Sequence, residues 1–427
     1  MCEHTSSSLF CTRGMVVLGG SVISKALIGT TFCPIWRTSI TNFLVGIGIT
    51  NHLPLKLANG AYVFTIIGQF VPTTAGRRLR ATDEHVPGAH SALYYAQRAT
   101  VPGTLIIAEA SLVPVEVGPF NNVPYISTNE QISGWKEVVD AVHAKGSFIY
   151  LQLAAIGRVG GLGGVSQELL SASDIPMTGL PAPLPLTHAK IEEFIEAFAT
   201  SAYNAVHKAG FDGVEVHGAN GYLIDQFTQS VSNNRTDVYG GSVANRSRFM
   251  LEVISAVARK IGQRRTAARL SPWGTFQDML MTTPERLIQF SHLVDEIKNR
   301  YPEFAYLHLV GPRASGAESK NAEDVKDEHF QELETLRKLW GDRPLIIAGG
   351  LNREMGLEIA QRNSHALVAY GRYFIANPDL VNRLKDNLPL NKGNRATYYT
   401  PGPEGYVDYP FLGDRNDIPE RSVPALH

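Results

Sequence analysis

From residue 100 onward the chain repeats one pattern, a short apolar run followed by a longer amphipathic stretch. The apolar runs are Leu105–Ala110, Phe148–Leu153, Gly213–Gly218, Ala267–Pro272, Tyr306–Gly311, Leu345–Gly350 and Ala366–Arg372. Mainly apolar runs, without a polar face, are what strands buried on both sides require. The stretches between them carry helix punctuation. Ile132–Ala144 stops at Lys145-Gly146, Lys190–Lys208 at Ala209-Gly210, and Asn245–Ile261 at Gly262. Pro284 opens a further helix, with Thr282 or Thr283 as its cap. Seven such strand–helix units imply a parallel sheet with right-handed crossovers. With one strand upstream they make eight, so the expected fold is α/β, a single (β/α)8 TIM barrel. A doubly wound open sheet is the alternative. It should carry Gly-x-Gly-x-x-Gly after its first strand, and that fingerprint is missing.

Barrel enzymes build their sites at the C-terminal ends of the strands. Gln152, His217, Arg269, Gly349 and Arg372 all fall there. Any one of them could be ordinary loop chemistry, but five in equivalent places form a pattern. The last two strands end in Ala348-Gly349-Gly350 and Tyr370-Gly371-Arg372. Glycine lets backbone N–H groups approach phosphate oxygens, and Arg372 can add charge-assisted bonds. Gly is also a common turn residue, so each pair alone is weak. The loop after the fourth strand reads HGANGY, residues 217–222. His217 and Asn220 can both donate to one oxygen, and the Tyr222 hydroxyl can deliver a proton. A structural histidine is the plainer reading of His217 taken alone.

Composition removes several other classes. Of 427 residues, 44% are hydrophobic and 19% charged, and the formal net charge is −1, with no dense basic stripe to suit nucleic acid. The three cysteines, Cys2, Cys11 and Cys33, lie at the N-terminus. They cannot supply a disulfide framework, an iron–sulfur cluster or a zinc site built on Cys pairs. Residues 15–33 are mostly apolar, but Lys25, several Ser/Thr and three Gly interrupt them, which is marginal for a membrane span. The expected organisation is an atypical leader over 1–52, a barrel over 53–412 and a tail over 413–427. A cytoplasmic location with no membrane association is expected, and an N-terminal targeting segment over residues 15–33 is the alternative.

The run HGANGYLIDQFTQSVSNNRTDVYGGSVANRSRF (217–249) resembles the signature of the old yellow enzyme family. GRYFIANPDLVNRL (371–384), LQL around Gln152, ARLSPW around Arg269 and RATYYTPGPEGYVDYP (395–410) are similar to further segments of that family, in the same order. The resemblance covers roughly residues 78–412 and is nearest to a fungal branch that tailors ergot alkaloids. It implies an FMN-dependent barrel that reduces the activated C=C bond of an enone or enal with hydride from NADPH or NADH. By the same resemblance, His217 and Asn220 hold the substrate carbonyl oxygen and Tyr222 protonates the α carbon. Gln152, Arg269 and the Ala110 backbone meet the flavin pyrimidine edge. Gly349, Gly350, Gly371 and Arg372 cradle the FMN phosphate. Tyr399 lines the substrate pocket. The protein is expected to be a monomer or homodimer acting on small molecules.

Three departures from the family pattern carry consequences. Ala154 stands where many relatives have Trp, so the resemblance implies an enlarged pocket open to bulky substrates. Tyr222 stands where some ergot-branch relatives have Phe and favour redox-neutral isomerisation over net reduction. The first strand is disturbed: the family segment before RLRATDEHVPG (78–88) is replaced by VFTIIGQFVPTTAG (63–76). Either Phe64–Val71 forms the strand and Thr74 becomes the flavin contact, or the strand is broken and the barrel is inactivated.

Overall fold

The computed structural model describes residues 63–66, 80–115, 122–163, 169–315, 318–319, 325–398 and 400–414. The proposed leader, Thr74 and Tyr399 lie outside these residues. The described part belongs to one compact unit, Ile40–His427.

Eight parallel strands form the frame. They are β1 (Val63–Ile66), β2 (Leu105–Ile107), β3 (Phe148–Ala154), β4 (Gly213–Gly218), β5 (Thr266–Leu270), β6 (Leu307–Val310), β7 (Leu345–Ala348) and β8 (Ala366–Tyr370). Each pairs with the next, from β2 on β3 round to β7 on β8. Strand β1 lies between β8 and β2, with Val63 opposite Val368 and Thr65 opposite Ile106. The ring is therefore closed, and the open-sheet alternative is excluded. The disturbed segment still supplies a strand, Val63–Ile66, and the remainder of the expected Phe64–Val71 lies outside the described residues. The other strands match the apolar runs and end one to three residues earlier, except β3, which runs one residue longer, and β4, which matches end to end.

Helices follow the strands: α1 (Ser91–Arg98), α2 (Asn129–His143), α3 (His188–Tyr203), α4 (Val243–Ile261), α5 (Thr283–Arg300), α6 (Asp327–Trp340), α7 (Arg353–Arg362) and α8 (Leu380–Asp386). Their starts are chemically specified. Thr128 and Gln131 form a reciprocal capping box on α2. Thr187, Ser242 and Asn352 cap α3, α4 and α7 by accepting a backbone N–H. Thr282 occupies the cap position of α5, but its side chain makes no capping bond. The stretch read as one helix to Lys208 is two pieces, because α3 passes into a π-helical turn over Asn204–Ala209. Asn204 explains the change of winding: it is buried there and donates to the Ile126 carbonyl at 3.0 Å.

Among the described residues, the apolar interior has three parts. The largest lies between strands and helices and includes Trp135, Phe194, Phe249, Phe290 and Trp340. A second is made almost wholly of strand residues, among them Leu105, Ile107, Tyr150, Tyr306, Ile346 and Leu367, and fills the inside of the ring. A third gathers Ala110, Leu112, Val123, Tyr125, Ala154, Ile156, Val159 and Tyr222 beyond the strand ends. Among the described residues, no helix is long and apolar enough to cross a membrane, and no cluster of His, Cys, Asp and Glu could hold a metal ion.

Candidate active site

Strand pairing brings the expected residues together. Gln152 on β3 is opposite Glu215 on β4, and His217 on β4 is opposite Arg269 on β5. Arg269 is in turn opposite His308 on β6. Alternation along β4 puts Glu215 and His217 on one face, two residues apart. All five side chains are buried, at 2% exposure or less.

Arg269 dominates the electrostatics. It is fully buried, and none of its three guanidinium nitrogens has a hydrogen-bond partner among the described residues. Burial lowers its pKa, while Glu215, Tyr222 and Tyr306 oppose that shift. An unpaired buried guanidinium is costly, so such a group is kept for a ligand that supplies acceptors. Gln152 tells the same story. Its Nε2 donates to Glu215 Oε1 at 2.6 Å, while its own Oε1 is buried without a partner. An unpaired cation beside an unpaired amide oxygen offers donors and an acceptor together. A flavin pyrimidine edge, with its carbonyl oxygens, N1 and N3–H, complements that set. These residues therefore fit FMN.

The substrate-side loop is pinned from below. Asn220 and Gly221 both have positive φ, 57° and 76°. The Asn220 N–H donates to Ser271 Oγ at 2.6 Å, and the Gly221 N–H donates to Asp225 Oδ2 at 2.8 Å. Gln226 Nε2 closes the turn on the Gly221 carbonyl at 2.7 Å. A Cβ on Gly221 would come within 2.8 Å of Met279, so glycine is required there on both counts. Burial pushes the Asp225 carboxyl up to about 6, against the bonds from Gln229, Gly221 and Ser271.

His217 and Tyr222 meet edge to face, with ring centroids 5.2 Å apart. Burial, with Arg269 and His308 nearby, drives the His217 pKa well below its ordinary value. The imidazole is therefore neutral at working pH and can donate one N–H to an oxygen. Its Nδ1 has no partner in the protein. Tyr222 is fully buried and packs in the same apolar cluster as Ala110 and Ala154.

At the other side of the ring, Ala348 pairs with Ala369, so Gly349-Gly350 and Gly371-Arg372 leave neighbouring strands at the same end. Gly349 and Gly350 have φ of 117° and 65°. Gly371 precedes a short helix, Arg372–Ala376. Backbone donors gathered in such turns suit an anion.

Three residues escaped the sequence reading. Glu215 and His308 are ionisable groups in the middle of otherwise apolar strands, which was a usable signal. Glu215 accepts from Gln152 and from His308 Nδ1, the latter at 2.8 Å. Despite burial it stays below the ordinary carboxylate range, held there by His308, Arg269 and Gln152. The third is Arg80. It donates to the carbonyls of Thr397 and Tyr398 at 2.9 Å each, and of Gly402 at 3.3 Å, tying down both sides of position 399. Nothing local in the sequence marks that bond, which spans more than 300 residues.

Residues 69–391 match the NADH:flavin oxidoreductase / NADH oxidase family. The NADP-dependent oxidoreductase lnbE of Aspergillus flavus is 44% identical over 80% of this chain and 92% of its own. Chanoclavine-I aldehyde reductase fgaOx3 of Penicillium roqueforti is 44% identical over 79% of this chain and 91% of its own. A Claviceps purpurea relative, named probable inactive dehydrogenase easA, is 42% identical over 82% and 93%. Among solved structures, Old Yellow Enzyme from Pichia sp. superposes with a TM-score of 0.72 at 32% identity, covering 88% of this chain and 96% of that one. The match takes in seven of the eight strands and the site residues from Arg80 to Arg372, so the chain belongs to the NADH:flavin oxidoreductase / NADH oxidase family and is an NAD(P)H-dependent flavin enzyme of the old yellow enzyme type.

Proposed function

We propose that the protein reduces the C=C bond of an α,β-unsaturated aldehyde or ketone in fungal secondary metabolism. The observation that carries this reading is the Arg269 guanidinium, buried and unpartnered, in register beside a neutral, buried His217. FMN, when bound, supplies the hydride relay between NAD(P)H and the substrate. Arg269 and Gln152 hold its pyrimidine edge, with the Ala110 backbone alongside. Gly349, Gly350, Gly371 and Arg372 hold its phosphate.

His217 and Asn220 bind the substrate carbonyl oxygen and stabilise the negative charge that builds there as the β carbon accepts hydride. Tyr222 gives its proton to the α carbon, which completes addition of one hydride and one proton across the bond. The small Ala154, packed in the cluster that holds Tyr222, leaves room for a bulky or polycyclic substrate. Tyr399 and Thr74 are proposed as pocket and flavin contacts from the family pattern alone.

The name of fgaOx3 supports an aldehyde substrate, and that of lnbE supports NADPH as donor. Tyr222 favours net reduction over isomerisation. The test is a turnover assay with NADPH or NADH and cyclohexenone or cinnamaldehyde. One nicotinamide should be consumed for each saturated product. Product without stoichiometric nicotinamide loss would replace reduction with isomerisation, and no turnover by FMN-loaded protein would contradict the proposal.

A further inference from the structure

We infer that Glu215 is a positioning residue that offsets the charge of Arg269 while leaving its N–H groups free to bond a ligand, and thereby sets the redox balance of the flavin. This rests on the assignment of Gln152 and Arg269 to the flavin edge.

Glu215 is fully buried at the centre of β4, below His217 and in register with Gln152. A buried carboxylate next to a buried guanidinium would ordinarily form a bidentate ion pair. Here it does not. One carboxylate oxygen is taken by Gln152 Nε2 at 2.6 Å and the other by His308 Nδ1 at 2.8 Å. All three Arg269 nitrogens are left without protein partners, although Glu215 is near enough to stabilise their charge. The carboxylate therefore neutralises Arg269 through space without consuming its N–H groups.

Two consequences follow from this division of labour. Glu215 fixes the Gln152 amide, because Nε2 is committed to the carboxylate and Oε1 is the atom that remains for the ligand. His308 acts as a spacer: its bond to the second oxygen fixes the orientation of the carboxylate and holds Glu215 away from Arg269. No proton need move for either effect. The field at the flavin edge then depends on the balance between a cation that points at it and an anion held one residue layer behind.

Opposite changes in that balance should have opposite effects. Glu215→Gln keeps an acceptor for Gln152 but deletes the anion, so the Arg269 field grows and reduced, anionic FMN gains on oxidised FMN. The expected gain is on the order of tenfold at this range. That places the midpoint potential about 30 mV more positive for a two-electron couple. His308→Leu removes the spacer, and the freed carboxylate competes for the Arg269 nitrogens. Both forms of FMN should then bind more weakly, the reduced, anionic form most, and the potential should move to more negative values.

The experiment measures the midpoint potential of the FMN-loaded wild type and both variants by equilibration with redox dyes. FMN affinity is measured on the same proteins by fluorescence quenching. Shifts of opposite sign support the inference, since a purely structural role would not reverse the sign. Unmoved potentials, or shifts in one direction for both variants, overturn it. If Glu215→Gln does not fold, His308→Leu decides alone: a negative shift supports the inference, and no shift or a positive one overturns it. A wild type that takes up no FMN would instead refute the flavin site itself. Wild-type uptake with unmoved potentials refutes only the role of Glu215.

Discussion

The two sides of the barrel wall are built on different principles. Strands β3 to β6 turn Gln152, Glu215, Arg269 and His308 inward, a continuous polar band between an apolar floor and the substrate loop. Strands β2, β7 and β8 turn inward Leu105, Ile107, Ile346, Ala348, Leu367 and Ala369, and β7 and β8 then end in glycine. One side offers side chains and the other offers backbone. A ring system with distinct polar edge atoms is read by side chains placed atom by atom. A phosphate is satisfied by several backbone N–H groups that converge, which needs the absence of side chains. The difference implies that the two sides fail differently under mutation.

The largest effect belongs to the side-chain half. Tyr222→Phe removes the proposed proton donor and little volume. Reoxidation of the reduced enzyme by enone should slow by about 10²–10⁴-fold, the usual worth of a positioned acid. Reduction by NADPH should be unchanged, because no proton is delivered in that half. Stopped-flow absorbance resolves the two phases, and equal losses in both would remove Tyr222 from its role.

On the backbone half the cost should appear in stability. Gly349 sits at φ 117°, and a Cβ there would come within 3.0 Å of the Gly311 carbonyl oxygen. Gly349→Ala should destabilise the protein by about 3 kcal/mol, from strain and the backbone clash together. Gly371 has φ of −94°, so Gly371→Ala should cost the fold much less. Denaturant melts of the two apoproteins compare them, and equal losses would mean that Gly349 is not held by its backbone geometry.

The sequence made the two sides unequally legible. The glycine endings and the HGANGY loop were readable because they are short, contiguous and punctuated. The strand rhythm was readable because burial on both faces demands unbroken apolarity. Glu215 and His308 interrupt that rhythm, but a single ionisable residue in an apolar run does not declare its partner. They interact through a register that only strand pairing creates. The bonds from Arg80 to residues 397–402 depend on the ring being closed, which no local pattern encodes. The first strand was legible only as a pair of alternatives, since no family-like segment marked it. Pairing with both β8 and β2 decides in favour of a strand.

A smaller effect should separate the loop's support from its chemistry. Asp225 has a folded pKa raised to about 6, above its unfolded value of 3.8, chiefly by burial. The native state then binds more protons than the unfolded one between these values. Its contribution to stability is full below about pH 4 and is lost as pH rises through about 6. Relative to Asp225→Asn, which does not titrate, the wild type should lose on the order of 2 kcal/mol over that window. Denaturant melts at several pH values measure the difference. A difference independent of pH would show that Asp225 ionises as freely in the fold as out of it.

The central claim is that the polar band on β3 to β6 exists to hold a flavin edge, with Arg269 as its principal group. Arg269→Met tests it most directly, because it deletes the charge and keeps a similar apolar bulk. FMN affinity is measured by fluorescence quenching, beside a melt of the apoprotein. The account predicts one FMN per wild-type chain. It predicts a variant that still melts cooperatively, since Glu215 keeps its bonds from Gln152 and His308 when Arg269 is gone. That variant should bind FMN at least about 100-fold more weakly, the loss expected for charge-assisted bonds in a buried site. An Arg269→Met protein that folds and binds FMN with wild-type affinity would contradict the claim.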